Sequence, residues 1–438
     1  WTETSPMTGG VSVMYAGPRI PPMRILVVTR TYRLTGGADR YALALQAELE
    51  RRGHAVIPFA AHHPQNLPTP WARYFPPDLG FSDYGPRDRL RALARAMTGG
   101  PALRALRRLL AEHPVDLVHV HTTFHQVLPP AALAWLRRRG VPVVMTVHDY
   151  KLVCPTYWQY VADADAVCRR CAGRRFYHAA LRGCAGCGLG GIVKGIVVAL
   201  EAYWARWTGA YAGVAQFICP SAAMRDAIAG YGVPAEKLSV VYHFAPNLTD
   251  HEENALPNAS EQVLFLFVGR LVAEKGGLWL ARAAADLGLP IAFVGDGPQR
   301  AQIAALTADF PHLRCLGWAD PPTVQAWMRR ATALVVPSLW PDNSPMVIYE
   351  AAALGLPVVG ARVGGIPELV REGETGLLFA RGDAAGLRAA LLRLAGDPAL
   401  RARLGAGARA RAQTEWTPDR HVAQLLEVYA RAIGAGRQ

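Results

Sequence analysis

The stretch ALVVPSLWPDNSPMVIYEAAALGLPVVGA, residues 333–361, contains a strand, a helix and a second strand in succession. ALVVPS and PVVGA are short apolar runs rich in β-branched residues, which is typical of buried strands. Between them, Ser344 suits the N-cap of a helix, Pro345 its first position and Gly355 its end. This order predicts a parallel sheet, so the residues that follow the first strand lie where such sheets bind ligands.

Two carboxylates, Asp342 and Glu350, flank the start of this predicted helix. Free backbone N–H groups at a helix start attract anionic, oxygen-rich ligands, and carboxylates accept hydrogen bonds from sugar hydroxyls. The spacing fits the two ends of a nucleotide sugar. A local cap or salt bridge made by Glu350 is the alternative explanation, and spacing alone favours neither.

The alternation of strands and helices runs through the chain and restarts once, which predicts an α/β fold of two Rossmann-like domains facing across a cleft. The first series begins at RILVVT and the second at QVLFLFVG, and the polar stretch NLTDHEENALPNASE separates them. We expect a disordered N-terminal extension at 1–22, a first domain at 23–246 with a cysteine-rich insertion at 154–187, a linker at 247–261, a second domain at 262–414, and a helix at 415–438 that crosses back to the first domain.

The length of 438 residues suits two or three domains, and 51% hydrophobic residues indicate a folded chain. The formal net charge of +13 favours anionic partners, although nearly all the cations are arginine and only four are lysine. No apolar run is long enough to span a bilayer, and no signal peptide is evident. A dinucleotide-binding dehydrogenase is excluded because the first strand-to-helix turn, TYRLTGGAD, lacks the GxGxxG pattern.

A second candidate binding turn is VGRLVAEKGG, residues 268–277, which also leaves a strand and enters a helix. It places Arg270, Lys275 and two glycines together. Arginine forks onto phosphate oxygens, lysine adds a point charge, and glycine permits close backbone approach. The turn therefore predicts phosphate binding, in preference to a solvated loop with surface charges.

Several motifs together resemble the family 4 retaining glycosyltransferases, which have the GT-B fold. They are GRLVAEKG, FVGDGP, PSLWPDNSPMVIYEAAALGLPVV and GGIPELV in the second domain, and TGGADRYALAL, VHVH and TVHDY in the first. The resemblance implies transfer of a sugar from a nucleotide-sugar donor, with a UDP-sugar or GDP-sugar expected, to a hydroxyl acceptor with retained anomeric configuration. It places the donor in the second domain and the acceptor in the first, and it requires no cofactor for catalysis.

The resemblance also implies a role for individual residues. Arg270 and Lys275 hold the donor diphosphate, and His148 lies near the transferred sugar. Asp342 contacts the donor sugar, at a position where the family usually has Glu; the shorter side chain either brings the sugar closer or impairs activity. Glu350 binds the ribose. The remaining donor-binding residues are Gly37, Gly269, Asn343, Ser344, Pro345 and Met346.

The insertion 154–187, which follows HDYKLVCP, holds five of the seven cysteines. Two CxxC pairs separated by twelve residues suit tetrahedral zinc. We predict a structural zinc ion, with an iron–sulfur cluster or a reduced insertion without metal as the alternatives. The expected ligands are four of Cys154, Cys168, Cys171, Cys184 and Cys187.

The acceptor is expected to be a sugar, a lipid-linked molecule or a small molecule with a hydroxyl group, in cell-surface polysaccharide or glycolipid assembly. The basic amphipathic stretches RDRLRALARAM and PALRALRRLL suit either peripheral membrane contact or ordinary surface helices. We expect a cytoplasmic protein, peripheral at the membrane, that does not bind nucleic acid. The alternatives are a catalytically impaired nucleotide-sugar-binding protein and a zinc-ribbon nucleic-acid-binding protein.

Overall fold

The computed structural model describes residues 21–78, 99–121, 127–161, 164–182, 184, 188–245 and 264–435. Residues 1–20 of the predicted extension, the predicted linker 247–261, the stretch RDRLRALARAM and Cys187 lie outside the described residues. The described chain contains two six-stranded parallel sheets, each with its own helices. The predicted fold class is therefore confirmed.

The first sheet has the strand order β2-β1-β3-β4-β7-β8, and a separate antiparallel pair, β5 and β6, lies in the cysteine-rich insertion. Alternate side chains of the first strand enter opposite cores: Leu26 and Val28 pack in one, Ile25 and Val27 in the other. The strands are β1 (Arg24–Thr31), β2 (Ala55–Ala61), β3 (Leu117–Val120), β4 (Val143–Thr146), β5 (Tyr160–Val161), β6 (Ala166–Val167), β7 (Val214–Cys219) and β8 (Leu238–Val240).

The helices described in the first domain are α1 (Gly37–Arg51), α2 (Gly100–Glu112), α3 (Pro130–Arg138), α4 (His178–Leu181), α5 (Gly188–Trp207) and α6 (Ala222–Ala229). Helix α2 contains the stretch PALRALRRLL. Its Leu106 and Leu109 are fully buried in the core beneath the sheet. The apolar side of α2 thus packs inside the protein, as in an ordinary surface helix.

The second sheet has the order β11-β10-β9-β12-β13-β14, and all of its pairs are parallel. This is the 3-2-1-4-5-6 order of the doubly wound nucleotide-binding fold, and it reverses between β9 and β12. Its strands are β9 (Phe265–Val268), β10 (Ile291–Val294), β11 (Leu313–Gly317), β12 (Ala333–Val336), β13 (Val358–Arg362) and β14 (Gly376–Ala380).

The helices that follow are α7 (Gly277–Ala284), α8 (Arg300–Asp309), α9 (Pro321–Arg330), α10 (Met346–Leu354), α11 (Ile366–Leu369), α12 (Ala384–Gly396), α13 (Pro398–Thr414) and α14 (Pro418–Ala435). Helix α14 packs on the first domain, because its Leu425 and Tyr429 share a core with Met23 and Leu45. Across the described ranges, every helix is too short or too polar to cross a membrane.

The start of α10 differs from the prediction by one residue. The helix begins at Met346, and Pro345 occupies the N-cap position with an extended ψ of 115°. Ser344 does not cap the helix, because its hydroxyl lies 2.9 Å from the hydroxyl of Tyr349. The end was predicted correctly: Gly355 follows the helix with a φ of 71°, which is a left-handed conformation that favours glycine.

Candidate functional site

The two predicted donor-binding turns lie side by side at the point where the strand order of the second sheet reverses. Gly269 follows β9, and Pro337 follows the neighbouring strand β12. Open α/β sheets bind ligands outside the carboxyl ends of the strands at such a reversal. The turns touch at Gly276, where an added Cβ atom would lie 2.1 Å from the carbonyl oxygen of Pro337. Only glycine therefore allows this approach.

Lys275 and Asp342 form an ion pair that joins the two turns. Lys275 Nζ donates to Asp342 Oδ2 at 2.6 Å, and the hydroxyl of Ser338 donates to the same oxygen at 2.9 Å. The Asp342 side chain is only 7% exposed, whereas that of Lys275 is 23% exposed. Asp342 thus holds the lysine ammonium in place, and its predicted contact with a donor sugar stays a prediction.

Arg270 reaches further into solvent than Lys275 does. Its side chain is 60% exposed, and its guanidinium lies 3.4 Å from the buried carboxylate of Glu274. Burial raises the pKa of Glu274. The backbone carbonyl of Glu274 also accepts N–H bonds from Leu339 and Trp340, so this residue fixes the β9 turn against the loop after β12. Arg270 is thereby held at this turn through one end of its guanidinium, while most of its side chain stays exposed to solvent, where an anion can approach it.

Glu350 lies on α10, buried, and is paired with a residue of the other domain. Arg40 of α1 approaches its carboxylate at 2.9 Å, and the Glu350 side chain is 3% exposed. Burial raises the pKa of Glu350, and the charge of Arg40 acts in the opposite direction. Close to this pair, an added Cβ atom on Gly37 would lie 3.2 Å from the Met346 side chain, so the glycine turn packs on the start of α10.

Asn343 connects the loop that follows β12 to the first domain. Its amide nitrogen donates to the carbonyl oxygen of Val147 at 2.9 Å, and the hydroxyl of Ser221 donates to its amide oxygen at 2.7 Å. Asn343 is 4% exposed. Its side chain therefore links Val147, which precedes His148, to Ser221, which caps α6.

A second connection runs through Glu368 of α11. Its carboxylate accepts N–H bonds from Ala222 and Ala223, at the start of α6, at 2.7 Å and 2.8 Å. The hydroxyl of Tyr242 donates to it at 2.8 Å. A carboxylate at a helix N-terminus satisfies otherwise free N–H groups, so Glu368 clamps the second domain onto the first.

His148 belongs to a group of histidines packed around Tyr41. Its Nε2 lies 3.1 Å from Nδ1 of His121, and its ring centroid lies 5.6 Å from that of His243. Burial lowers the pKa of His148 to about 4, so the ring is neutral near pH 7. Among the described residues nothing bonds Nε2 of His121 or Nδ1 of His243, although both atoms are buried. These two nitrogens are therefore available to hydrogen-bond a ligand beside His148, the histidine to which the family resemblance assigns a role.

The cysteines of the insertion gather around one cavity. Cys154, Cys168, Cys171 and Cys184 line a space of about 240 Å³ together with His178. Burial, and then the neighbouring thiols, raise the pKa of Cys171 to about 12. Within the described ranges, no group of three or more His, Cys, Asp or Glu side chains is arranged to hold a metal ion. The fifth predicted ligand, Cys187, lies outside those ranges.

Several residues at the domain junction were missed by sequence reasoning. Arg40 lies in TGGADRYALAL and Glu368 in GGIPELV, so both fall in motifs that already stood out. Neither carries a local signal, because its partner is more than a hundred residues away in the chain. His243 likewise gains its significance from tertiary contacts, whereas Ser338 bonds Asp342, only four residues further along the chain.

Two family models match this chain. Residues 262–397 match the family described as glycosyl transferases group 1, and residues 36–243 match the glycosyl transferase 4-like domain. Among curated proteins, the D-inositol 3-phosphate glycosyltransferase 1 of Catenulispora acidiphila is 34% identical over 48% of this chain and 55% of its own length. The corresponding enzyme of Thermomonospora curvata is 36% identical over 42% of this chain and 46% of its own length. The chain thus spans about half the length of the curated relatives it matches.

Solved structures share the fold over nearly the whole chain. Sucrose-phosphate synthase from Thermosynechococcus elongatus has a TM-score of 0.64 at 19% identity and covers 94% of this chain and 100% of its own. The Anabaena HepE protein, solved in complex with UDP and glucose, has a TM-score of 0.58 at 19% identity and covers 93% of this chain and 99% of its own. These likenesses show the GT-B fold, and with the two family matches they establish that the chain belongs to the family 4 glycosyltransferases.

Proposed function

We propose that this glycosyltransferase takes its sugar from a nucleotide-sugar donor bound in the second domain and transfers it with retention of the anomeric configuration. The observation that carries the proposal is the position of Arg270 and Lys275 at the reversal of strand order beside β9. Their charges suit a diphosphate, which is the leaving group of such a donor. The Anabaena HepE complex, in which a protein of the same fold is solved with UDP and glucose, supports this choice.

The arrangement stabilises the charge that builds on the departing diphosphate. Arg270 and Lys275 act as fixed cations there, as in other cases of electrostatic catalysis. The two carboxylates selected at the site, Asp342 and Glu350, are each paired with a cation. Neither is therefore free to act as a general base, which favours a mechanism in which the leaving phosphate accepts the proton of the acceptor hydroxyl.

In this proposal Glu350 binds the donor ribose after Arg40 moves aside, and neutral His148 lies at the sugar. Asp342 acts through Lys275: the 2.6 Å contact keeps the ammonium oriented toward the phosphates. The replacement of the family's usual Glu by the shorter Asp342 then affects the position of the Lys275 ammonium more than it affects contact with the sugar.

The donor base is proposed to be uracil or guanine. A panel of UDP-sugars and GDP-sugars, tested for thermal stabilisation of the protein and for release of the nucleoside diphosphate, decides between them. We expect one nucleotide series to stabilise the protein and one member of it to be consumed. Absence of stabilisation by every member contradicts the proposal.

The acceptor is proposed to be a hydroxyl group of a sugar, a lipid-linked molecule or a small molecule, used in polysaccharide or glycolipid assembly. The curated relatives are named for D-inositol 3-phosphate, so this compound is the first acceptor to test. Product analysis by NMR gives the anomeric configuration directly. A product with inverted configuration contradicts the retaining mechanism.

A structural zinc ion in the cysteine-rich insertion stays a prediction, as does a cytoplasmic location. The gathering of four cysteines around one cavity supports the zinc proposal. Elemental analysis of protein purified without added metal tests it, and one zinc per chain is expected. Absence of both zinc and iron, with thiols that react freely under native conditions, contradicts it.

A further inference from the structure

Helix α5 has two apolar sides, and among the described residues only one of them is covered by protein. Ala199 packs against Phe176 and Ala179 on the covered side. On the other side, exposure ranges from 38% at Tyr203 to 83% at Trp207. At about 3.6 residues per turn, the exposed residues fall within an arc of about 100° and form one stripe. This α5 stripe consists of Ile192, Val193, Ile196, Leu200, Tyr203 and Trp207.

The segment that contains the α5 stripe is strongly basic. Residues 166–207 contain seven arginine or lysine residues and a single acidic residue, Glu201. All seven cations are exposed. Glu201 is already neutralised, because Lys151 donates to it at 2.6 Å. The apolar stripe therefore belongs to a segment whose positive charge is not balanced by its own carboxylates.

We propose that the α5 stripe is a membrane-docking surface that binds bilayers containing anionic phospholipid. An amphipathic helix of this kind lies in the plane of the interface, with its apolar side among the acyl chains and its cations at the headgroups. Tyr203 and Trp207, at one end of the stripe, are the residue types that settle at the boundary between lipid and water. The charge complementarity selects an anionic bilayer over a neutral one as the occupant.

Helix α5 is linked to the segment that carries His148. The Lys151–Glu201 ion pair, whose side chains are 8% and 17% exposed, joins α5 to that segment three residues after His148. Docking at α5 therefore places a bilayer against the first domain, the domain to which the family resemblance assigns the acceptor. The proposal does not depend on which sugar is transferred.

Vesicle flotation with the full-length chain tests the proposal directly. Vesicles of phosphatidylcholine alone are compared with vesicles that also contain phosphatidylglycerol, at low and at high salt. We expect the wild type to float with the anionic vesicles, and binding to weaken as salt is raised. The double variant Leu200→Gln, Trp207→Gln should lose at least about tenfold in affinity, since burial of one large apolar side chain is worth that much.

Two controls separate this surface from the rest of the chain. Trp318→Gln with Leu392→Gln removes two apolar side chains of the second domain that are 72% and 50% exposed, and it should bind vesicles as the wild type does. Lys194→Glu with Arg206→Glu should reduce binding to anionic vesicles, whereas Arg393→Glu should not. Circular dichroism shows whether each variant is folded.

Three results overturn the proposal. The first is a wild type that stays unbound to anionic vesicles at low salt. The second is a folded stripe variant that floats as well as the wild type. The third is a stripe variant that turns a dimer into a monomer in gel filtration without changing flotation. The last result identifies the stripe as an interface between protein copies. Because flotation requires no turnover, none of these outcomes depends on sugar transfer.

Discussion

Arg40 of the first domain lies 2.9 Å from the buried carboxylate of Glu350 in the second domain. The carboxylate proposed to bind the donor ribose is therefore already engaged by a cation from across the cleft. A ribose gains access to it only when Arg40 moves aside. Together with the contacts of Asn343 and Glu368, this pair holds the two domains against each other.

Replacement of Arg40 by alanine should change the pH dependence of donor binding. Burial raises the pKa of Glu350 and Arg40 lowers it, so loss of Arg40 raises this pKa further. A protonated carboxyl group is a weaker acceptor for ribose hydroxyls. As pH falls from 8, the affinity of Arg40→Ala for the nucleoside diphosphate should therefore decline at a higher pH than that of the wild type. Isothermal titration calorimetry at several pH values measures this.

Arg51→Ala is the matched control for this variant, since Arg51 lies on the same helix, is 61% exposed and pairs with Glu48 instead. Its affinity should follow the wild-type pH profile. Superimposable profiles for Arg40→Ala and the wild type would show that Glu350 does not contact the nucleotide.

Variants of the Lys275–Asp342 pair should show separate effects on stability and on activity. Lys275→Met alone leaves the buried Asp342 without its cation, and breaking a buried pair in this way costs about 3–5 kcal/mol of unfolding free energy. The double variant Lys275→Met, Asp342→Asn should recover most of that stability, because no unpaired charge remains. It should stay inactive, since the phosphate-binding ammonium is gone.

Urea unfolding and nucleotide release, measured on the two single variants and the double variant, check this prediction. Asp342→Asn alone should keep some activity, with the lysine less firmly held. If the double variant recovers activity along with stability, Lys275 has a structural role only.

The buried histidines should make the protein less stable in mild acid. His421 bonds the carbonyl oxygen of Tyr242 and the hydroxyl of Tyr41, and burial lowers its pKa from 6.5 to about 4. Between these values the unfolded chain takes up a proton that the folded chain does not, so stability falls as pH falls. The effect of this one group is at most about 3 kcal/mol.

His421→Gln should therefore be less stable than the wild type at pH 7.5 but lose less of its stability between pH 6.5 and pH 4. Urea unfolding at three pH values in that interval measures the difference. His62→Gln, at an exposed histidine, is the control for the effect of replacing any histidine by glutamine. If the stability of His421→Gln declines with pH as steeply as that of the wild type, the proton is taken up by a group other than His421.

The sequence predicted the fold and the second-domain turns because both depend on local patterns. Apolar runs predicted the strands, and Gly355 marked the end of α10. The start of α10 was wrong because Ser344 has a competing partner in Tyr349, which periodicity does not reveal. The ion pair of Asp342 with Lys275, a residue 67 positions away in the chain, was not predicted. Pairings between distant segments, like Arg40 with Glu350, leave no periodic signal in the sequence.

The central claim is that the turn after β9 binds the diphosphate of a nucleotide-sugar donor. Calorimetric titration of UDP and of GDP into the wild type, Arg270→Ala and the control Arg282→Ala tests it most directly. Arg270 is the better probe of the two cations because its side chain is 60% exposed and its contact with Glu274, at 3.4 Å, is longer than the 2.6 Å contact of Lys275 with Asp342. We predict that one of the two nucleotides binds, and that its affinity for Arg282→Ala equals its affinity for the wild type. Arg270→Ala should bind it at least about tenfold more weakly, the effect of one charge-assisted phosphate contact. Equal binding by Arg270→Ala and the wild type, or no binding of either nucleotide, would contradict the claim.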